Sequence, residues 1–199
     1  MFGITRRRTF KAKIRKPTCL AHFDFYECHR SQPISATPTA LIRAAKEFDM
    51  HQDPYIHALM SARRIPERII GARKNKELDP FDFNSFTPLF EDENLLSMGL
   101  IGRFWQLDMG LVEVPNKEEF EVFDDPSYAK LELRFYVEEQ GNGQYILVTD
   151  TCISCPSKKA RLTLTFYWLF IRLASGFIRK RTLKGIQKML DKSSHFTQG

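Results

Sequence analysis

The sequence predicts an α+β fold in which a curved antiparallel sheet is closed by one long C-terminal helix. Two strongly alternating segments, 129–138 and 144–153, a glycine-rich turn between them and a proline-free apolar run from Lys158 onward point to it. Period-two alternation marks strands with distinct faces, and a Gly/Asn turn joins antiparallel neighbours. Elements in that order enclose an apolar interior, so a container for an apolar molecule is expected. No motif names a reaction.

The chain has 199 residues, 43% apolar content and seventeen phenylalanines, which suits one domain with a sizeable core and argues against disorder. Its net charge of +6 is unevenly placed. Arg6, Arg7, Arg8, Lys11, Lys13, Arg15 and Lys16 lie in the first sixteen residues without an acid, and the remaining 23 basic and 24 acidic residues leave a net of −1. The body is neutral and the basic balance belongs to an arm, which gives no case for nucleic acid as a partner. The expected organisation is a flexible basic arm over 1–17, a single domain over 18–192 and a tail over 193–199. The arm offers at most a weak contact with anionic membrane. Thr9, Lys11 and Lys13 interrupt any apolar stretch after the basic start, so no secretory signal is read. The four cysteines are then expected as thiols in a cytoplasmic protein.

In order along the chain, 21–28 alternates as a first strand, with Phe23 and Phe25 on one side and Asp24 and Tyr26 on the other. Thr37-Pro38 opens a helix with the stripe Leu41, Ala44, Ala45 and Phe48. A second helix is expected from Asp53-Pro54, and Pro66 restarts a third. Residues 76–94 read as an apolar loop. Residues 95–107 read as a long strand, bent at Gly99 and Gly102. Residues 111–114 and 120–123 read as a short hairpin about Pro115-Asn116. On the strand from Ala129, Leu131, Leu133, Phe135 and Val137 are expected inside, with Lys130, Glu132 and Arg134 in water. The partner strand places Tyr145, Leu147, Thr149, Thr151 and Ile153 on one face. The final helix, 158–190, would be about 50 Å long if straight, and Ser175-Gly176 is expected to bend it. A membrane span is disfavoured, because Arg161 and Arg172 fall within the apolar run and a central arginine costs ~2.5–3.5 kcal/mol.

The segments GLIGRFW (99–105), FDDPSYAKLELRF (123–135), LVTDTCISC (147–155) and FYWLFIRLASGFIRKRTLKGI (166–186) resemble the START-type, polyketide-cyclase-like helix-grip superfamily, in its bacterial members of no assigned activity. The resemblance spans about 18–190. It implies a helix-grip fold and a deep pocket between sheet and long helix for a lipid-like or polyketide-like ligand, with no shared catalytic residue. One departure is Asp150, which stands between two threonines where the pattern has glutamate.

The pocket residues expected on this reading are Arg103, Trp105, Leu131, Leu133, Phe135, Leu147, Thr149, Thr151, Tyr167, Trp168 and Arg172. Arg103 and Trp105 share a strand face in this reading. Trp168 and Arg172 share a helix face at i, i+4. Two arginines between two indoles would suit an amphipathic anion. In the competing structural reading, Arg172 stacks on Trp168 and pairs with Asp150. Thr149 and Thr151 either bond a ligand or serve as ordinary strand residues.

Cys152 and Cys155 have C-x-x-C spacing, and Cys19 or His22 could approach them. Cysteines three apart on a strand face opposite sides, however, so buried thiols are expected rather than a metal site. The histidines show no metal spacing, and no cofactor-binding loop is present. Binding or sequestering of a small apolar or amphipathic ligand is the first functional expectation. A cyclase or dehydratase using Tyr26, His57 or Asp150 as acid or base is the second. A peripheral membrane-surface protein is the third.

Overall fold

The computed structural model describes residues 16–49, 53–55, 85–106 and 109–196, without the side chains of 170–173 and 192–196. Five strands form one open antiparallel sheet: β1 (Phe25–Arg30), β2 (Thr87–Glu91), β3 (Leu95–Gly102), β4 (Ala129–Gly141) and β5 (Gln144–Ser154). Their spatial order is β1-β5-β4-β3-β2. The helices complete among the described residues are α1 (Pro38–Glu47), α2 (Lys117–Val122) and α3 (Lys158–Phe196). The α+β class is therefore as expected, and the sheet is not closed into a barrel. Among the described residues no helix is long and apolar enough to cross a membrane.

Local chemistry explains most of these boundaries. Thr37 caps α1 by accepting from the Ala40 amide at 3.2 Å, and Pro38 occupies the first turn, where its missing N–H costs nothing. The β4–β5 turn uses Asn142 and Gly143 at φ 54° and 69°, the left-handed pair that a tight hairpin requires. The expected hairpin at 111–123 is instead α2. Asn116 caps it, its Oδ1 accepting from the Glu119 amide at 2.9 Å, and Phe120 anchors it at 0% exposure. A local cap with one buried anchor outweighs the weak alternation of so short a segment.

The apolar loop expected over 76–94 contains β2, paired with β3 and bulged between Pro88 and Phe90. Residues 76–84, and the second and third helices apart from Asp53–Tyr55, lie outside the described residues. The strand expected over 95–107 stops at Gly102. Its ladder with β4 is unbroken from Leu95–Tyr136 to Gly102–Ala129, so the glycines do not make a bulge. A Cβ on Gly99 would stand 2.7 Å from the Phe120 ring, so Gly99 admits α2 against the sheet. Helix α3 also runs unbroken through Ser175-Gly176.

Two layers cover the sheet. On the inner face, α1 and α3 pack on Leu96, Met98, Leu100, Leu133, Phe135 and Leu147. The opposite face was expected to be wet, and it is not. Glu132 and Arg134 are both 0% exposed, and Lys130 is half-buried. Residues 16–23 and α2 cover that face, where Leu20, Leu89, Ile101, Phe120 and Cys152 form a second apolar cluster. The charged residues survive burial because Asp150, Ser97 and backbone groups supply their partners.

Candidate functional site

On the inner face, β1 and β5 set polar side chains against the middle of α3. Glu27 pairs in register with Thr151, and His29 with Thr149. Glu27 is almost fully buried. Its Oε1 lies 2.7 Å from His29 Nε2, and its Oε2 accepts from Ser175 Oγ at 3.0 Å. Arg179 Nη1 donates to Thr149 Oγ1 at 3.2 Å. A Cβ on Gly176 would be 3.2 Å from Glu27 Oε1, so α3 meets the strand closely at its smallest residue.

Two polar atoms in this cluster are sealed from solvent without a hydrogen-bond partner, the Arg179 Nε and the Thr151 Oγ1. Burial lowers the pKa of Arg179, and the charge of Glu27 works against that shift. A guanidinium does not deprotonate in proteins, so the site holds a half-buried cation that faces Glu27 and keeps one sealed N–H for a further acceptor. Burial pushes the Glu27 carboxyl up. The His29 and Ser175 hydrogen bonds and the Arg179 charge together outweigh burial and hold it below the usual range.

Nine of the eleven expected pocket residues are inner-face residues. Leu133, Phe135 and Leu147 are buried in one cluster against α1 and α3, with Leu131, Trp105, Tyr167 and Trp168 packed at its border. Thr149 and Thr151 lie among them, each 1% exposed. Trp168 meets Phe25 of β1, ring centroids 5.9 Å apart.

Arg103 does not join them. It follows the end of β3 in a turn, where its guanidinium lies 4.3 Å from the Tyr128 ring centroid, and Tyr128 packs with the opposite-face cluster. Arg103 and Trp105 therefore share no strand face, because the chain leaves the sheet at Gly102. The side chain of Arg172 lies outside the described residues. Its expected partner Asp150 is on the opposite face of the sheet from α3, bound to Arg134. Asp150 also accepts from Tyr26 at 3.3 Å, so two of the expected acid–base candidates face away from α3. His57, the third, is outside the described residues.

Comparison with family models, with curated proteins and with solved structures gives no match.

Cys152 lies in the outer cluster and Cys155 in the inner one, on opposite sides of the sheet. Burial raises both thiols, and that of Cys19, to about 12, far from the nucleophilic range. All four cysteines are free. His22 does approach this strand end, but its Nε2 meets Ser154 Oγ at 3.2 Å. Among the described residues no His/Cys/Asp/Glu group is placed to hold a metal ion.

Sequence reasoning missed Glu27, His29, Ser175 and Arg179. The signal was present. Phe25, Glu27 and His29 alternate on one strand face. Trp168, Ser175, Arg179, Thr182 and Ile186 follow one another at helical spacing. Arg179 is followed directly by Lys180 and Arg181, so in the sequence it reads as part of a charged, solvated face, and that hides the stripe.

Proposed function

We propose that this chain binds a small amphipathic anion between the sheet and α3, in the manner of a helix-grip container. The charged group of the ligand meets Arg179 and the hydroxyls of Thr149 and Thr151. Its apolar body lies toward Phe135, Leu147 and Trp168. The observation that supports this reading most is the sealed Arg179 Nε, which has no partner, together with the equally unpartnered Thr151 hydroxyl on the same strand as Thr149. A polar group left unsatisfied in a buried position costs about 1–3 kcal/mol, and an anion seated there recovers it.

The test pairs two measurements. Mass spectrometry of the denatured protein looks for a co-purified carboxylate or phosphate. Fatty acids and phenolic carboxylates are then titrated while tryptophan fluorescence is followed, since Trp168 borders the cluster. Saturable quenching that Arg179→Met weakens at least tenfold supports the reading. No co-purified molecule and no saturable response overturn it, and so does quenching that Arg179→Met leaves unchanged.

A second reading has one specific observation in its favour. Glu27 and His29 form a carboxylate–imidazole pair at 2.7 Å, an arrangement able to move a proton. In a cyclase or dehydratase acting on the same ligand, this pair would be the acid–base group. Conversion of a bound ligand by the wild type, lost in His29→Ala with binding retained, would support it.

A further inference from the structure

Among the described residues, the face of α3 turned away from the sheet carries large apolar side chains that nothing covers fully. Leu162 is 61% exposed, Phe166 64%, Leu169 74% and Phe177 43%. These four lie within one narrow arc of the helix, opposite the stripe that holds Trp168, Ser175 and Arg179. Contiguous large apolar side chains on an outer face mark an interaction surface, whereas scattered ones need no explanation.

The charges around this stripe indicate what it meets. From Lys158 to Leu190 there are nine basic residues and no acid. Arg161 and Arg181 are paired with Asp24 and Asp53, and Arg179 points inward to Thr149. The lysines are different. Lys158, Lys159, Lys180, Lys184 and Lys188 are exposed and have no acid partner among the described residues. Lys158 precedes the apolar stripe on its own face, and Lys180 and Lys184 follow it there. The surface is thus apolar in the middle and cationic at both ends. Lysine stems of that kind cover apolar surface while the ammonium reaches outward.

We infer that the outer face of α3 docks flat on an anionic lipid surface. The stripe enters the boundary between headgroups and acyl chains, and the lysines meet the phosphates beside it. The helix cannot span, because its other face is committed to the sheet and no stretch of it among the described residues is apolar enough to cross a membrane. The surface is separate from the ligand site, and the inference stands whether or not the ligand reading holds.

The test uses the full chain and two kinds of vesicle, pure phosphatidylcholine and phosphatidylcholine mixed in equal parts with phosphatidylglycerol. Flotation at low and at physiological salt measures the bound fraction. The wild type should float with the anionic vesicles, and binding should weaken as salt screens the lysines. Leu169→Asp should lower vesicle partitioning about tenfold or more, because it puts a charge in place of an apolar side chain that would enter the lipid. Lys180→Glu with Lys184→Glu should lower binding to anionic vesicles only. These positions are exposed, so an unchanged melting temperature verifies that each variant folds. The basic arm is intact in every variant, so full binding by Leu169→Asp would assign the binding to the arm and overturn the inference. Absence of wild-type flotation also overturns it. A wild-type dimer that Leu169→Asp converts to monomer, without vesicle binding, overturns it in favour of a second copy of the chain as the occupant.

Discussion

Arg134 of β4 and Asp150 of β5 stand opposite each other in register, joined by two hydrogen bonds of 2.8 and 2.7 Å, with neither side chain exposed. Asp150 takes up the guanidinium charge, and a further N–H of Arg134 donates to the Lys16 carbonyl. Two residues earlier on β4, Glu132 accepts from the Thr18 and Cys19 amides at 2.8 and 3.0 Å and from Ser97 Oγ at 2.9 Å. The outer face of the sheet is thereby sealed by the segment 16–19 through hydrogen bonds to its backbone. The same pair sets register, since slipping β4 by one residue would drive Arg134 into the inner apolar layer.

Breaking this pair leaves one buried charge alone. Asp150→Asn or Arg134→Met should therefore destabilise the chain by about 3–5 kcal/mol. Replacing both partners together by Met and Leu should recover most of that loss, because desolvation of the pair offsets much of its attraction. Urea unfolding of the two single variants and the double variant checks this. A single-variant loss below 1 kcal/mol, on the order of a surface pair, would mean that the site is hydrated.

The residues of this outer layer show where the sequence was legible and where it was not. β4 alternates charge with apolar side chains, and on that evidence Arg134 reads as solvent-facing. Its neighbours carried the opposite message. β3 is buried at all eight positions, and β5 has Val148 and Cys152 as well as Leu147 and Ile153 buried. Strands apolar on both faces belong to a sheet covered on both sides. The register that places Arg134 beside Asp150 is a long-range fact which no single segment contains. By contrast, α1, the β4–β5 turn and α3 were legible because a cap, a positive-φ pair and a long apolar run are local. At the site, the apolar wall followed from alternation. Arg179 did not, because its role depends on β1 passing Ser175-Gly176.

Acid titration should reveal the Glu27 carboxylate. Its folded-state pKa lies below the unfolded value, held there against burial by His29, Ser175 and Arg179. The stability it contributes is thus complete above the unfolded glutamate value of about 4.3 and is lost as pH falls through the lower folded value. Glu27→Gln removes that titration. The variant should be less stable than the wild type at neutral pH, and the gap should close progressively below pH ~4.3. Melting temperatures across this range measure the gap, and a constant gap down to the most acid point would exclude the assignment.

Thr151 offers an opposite pair of effects from one substitution. Its hydroxyl is buried without a partner, and valine has nearly the same shape without the polar atom. Thr151→Val should raise the stability of the ligand-free chain by about 1 kcal/mol, the cost of an unsatisfied hydroxyl. If the proposed ligand site is right, it should also weaken binding of the amphipathic anion. Thermal unfolding and the fluorescence titration read the two effects on the same samples. Destabilisation by valine would show that the hydroxyl is satisfied by ordered water.

Gly185 lies in the interior of α3, where glycine costs roughly 1 kcal/mol relative to alanine. The structure supplies a reason for keeping it. A Cβ there would stand 2.4 Å from Cε2 and 2.7 Å from Cζ of Phe48, the residue that ends α1. The ring lies against the bare helix backbone and fixes the end of α1 on α3, beside Leu183 and Ile186 in the inner core. Gly185→Ala gains helix propensity but forces the ring out of place, and overpacking of this kind costs about 1–3 kcal/mol. The net effect in the wild type should be destabilising. In a Phe48→Ala background the obstruction is gone, and the same substitution should stabilise by up to about 1 kcal/mol. The change of sign is the diagnostic, because it isolates the Phe48–Gly185 coupling from the loss of the ring itself. A thermal or urea unfolding cycle over the four chains measures it. If Gly185→Ala raised the melting temperature equally in both backgrounds, the ring would not rest on that glycine, and the docking of α1 would depend on its buried residues Leu41, Ile42, Ala44 and Ala45.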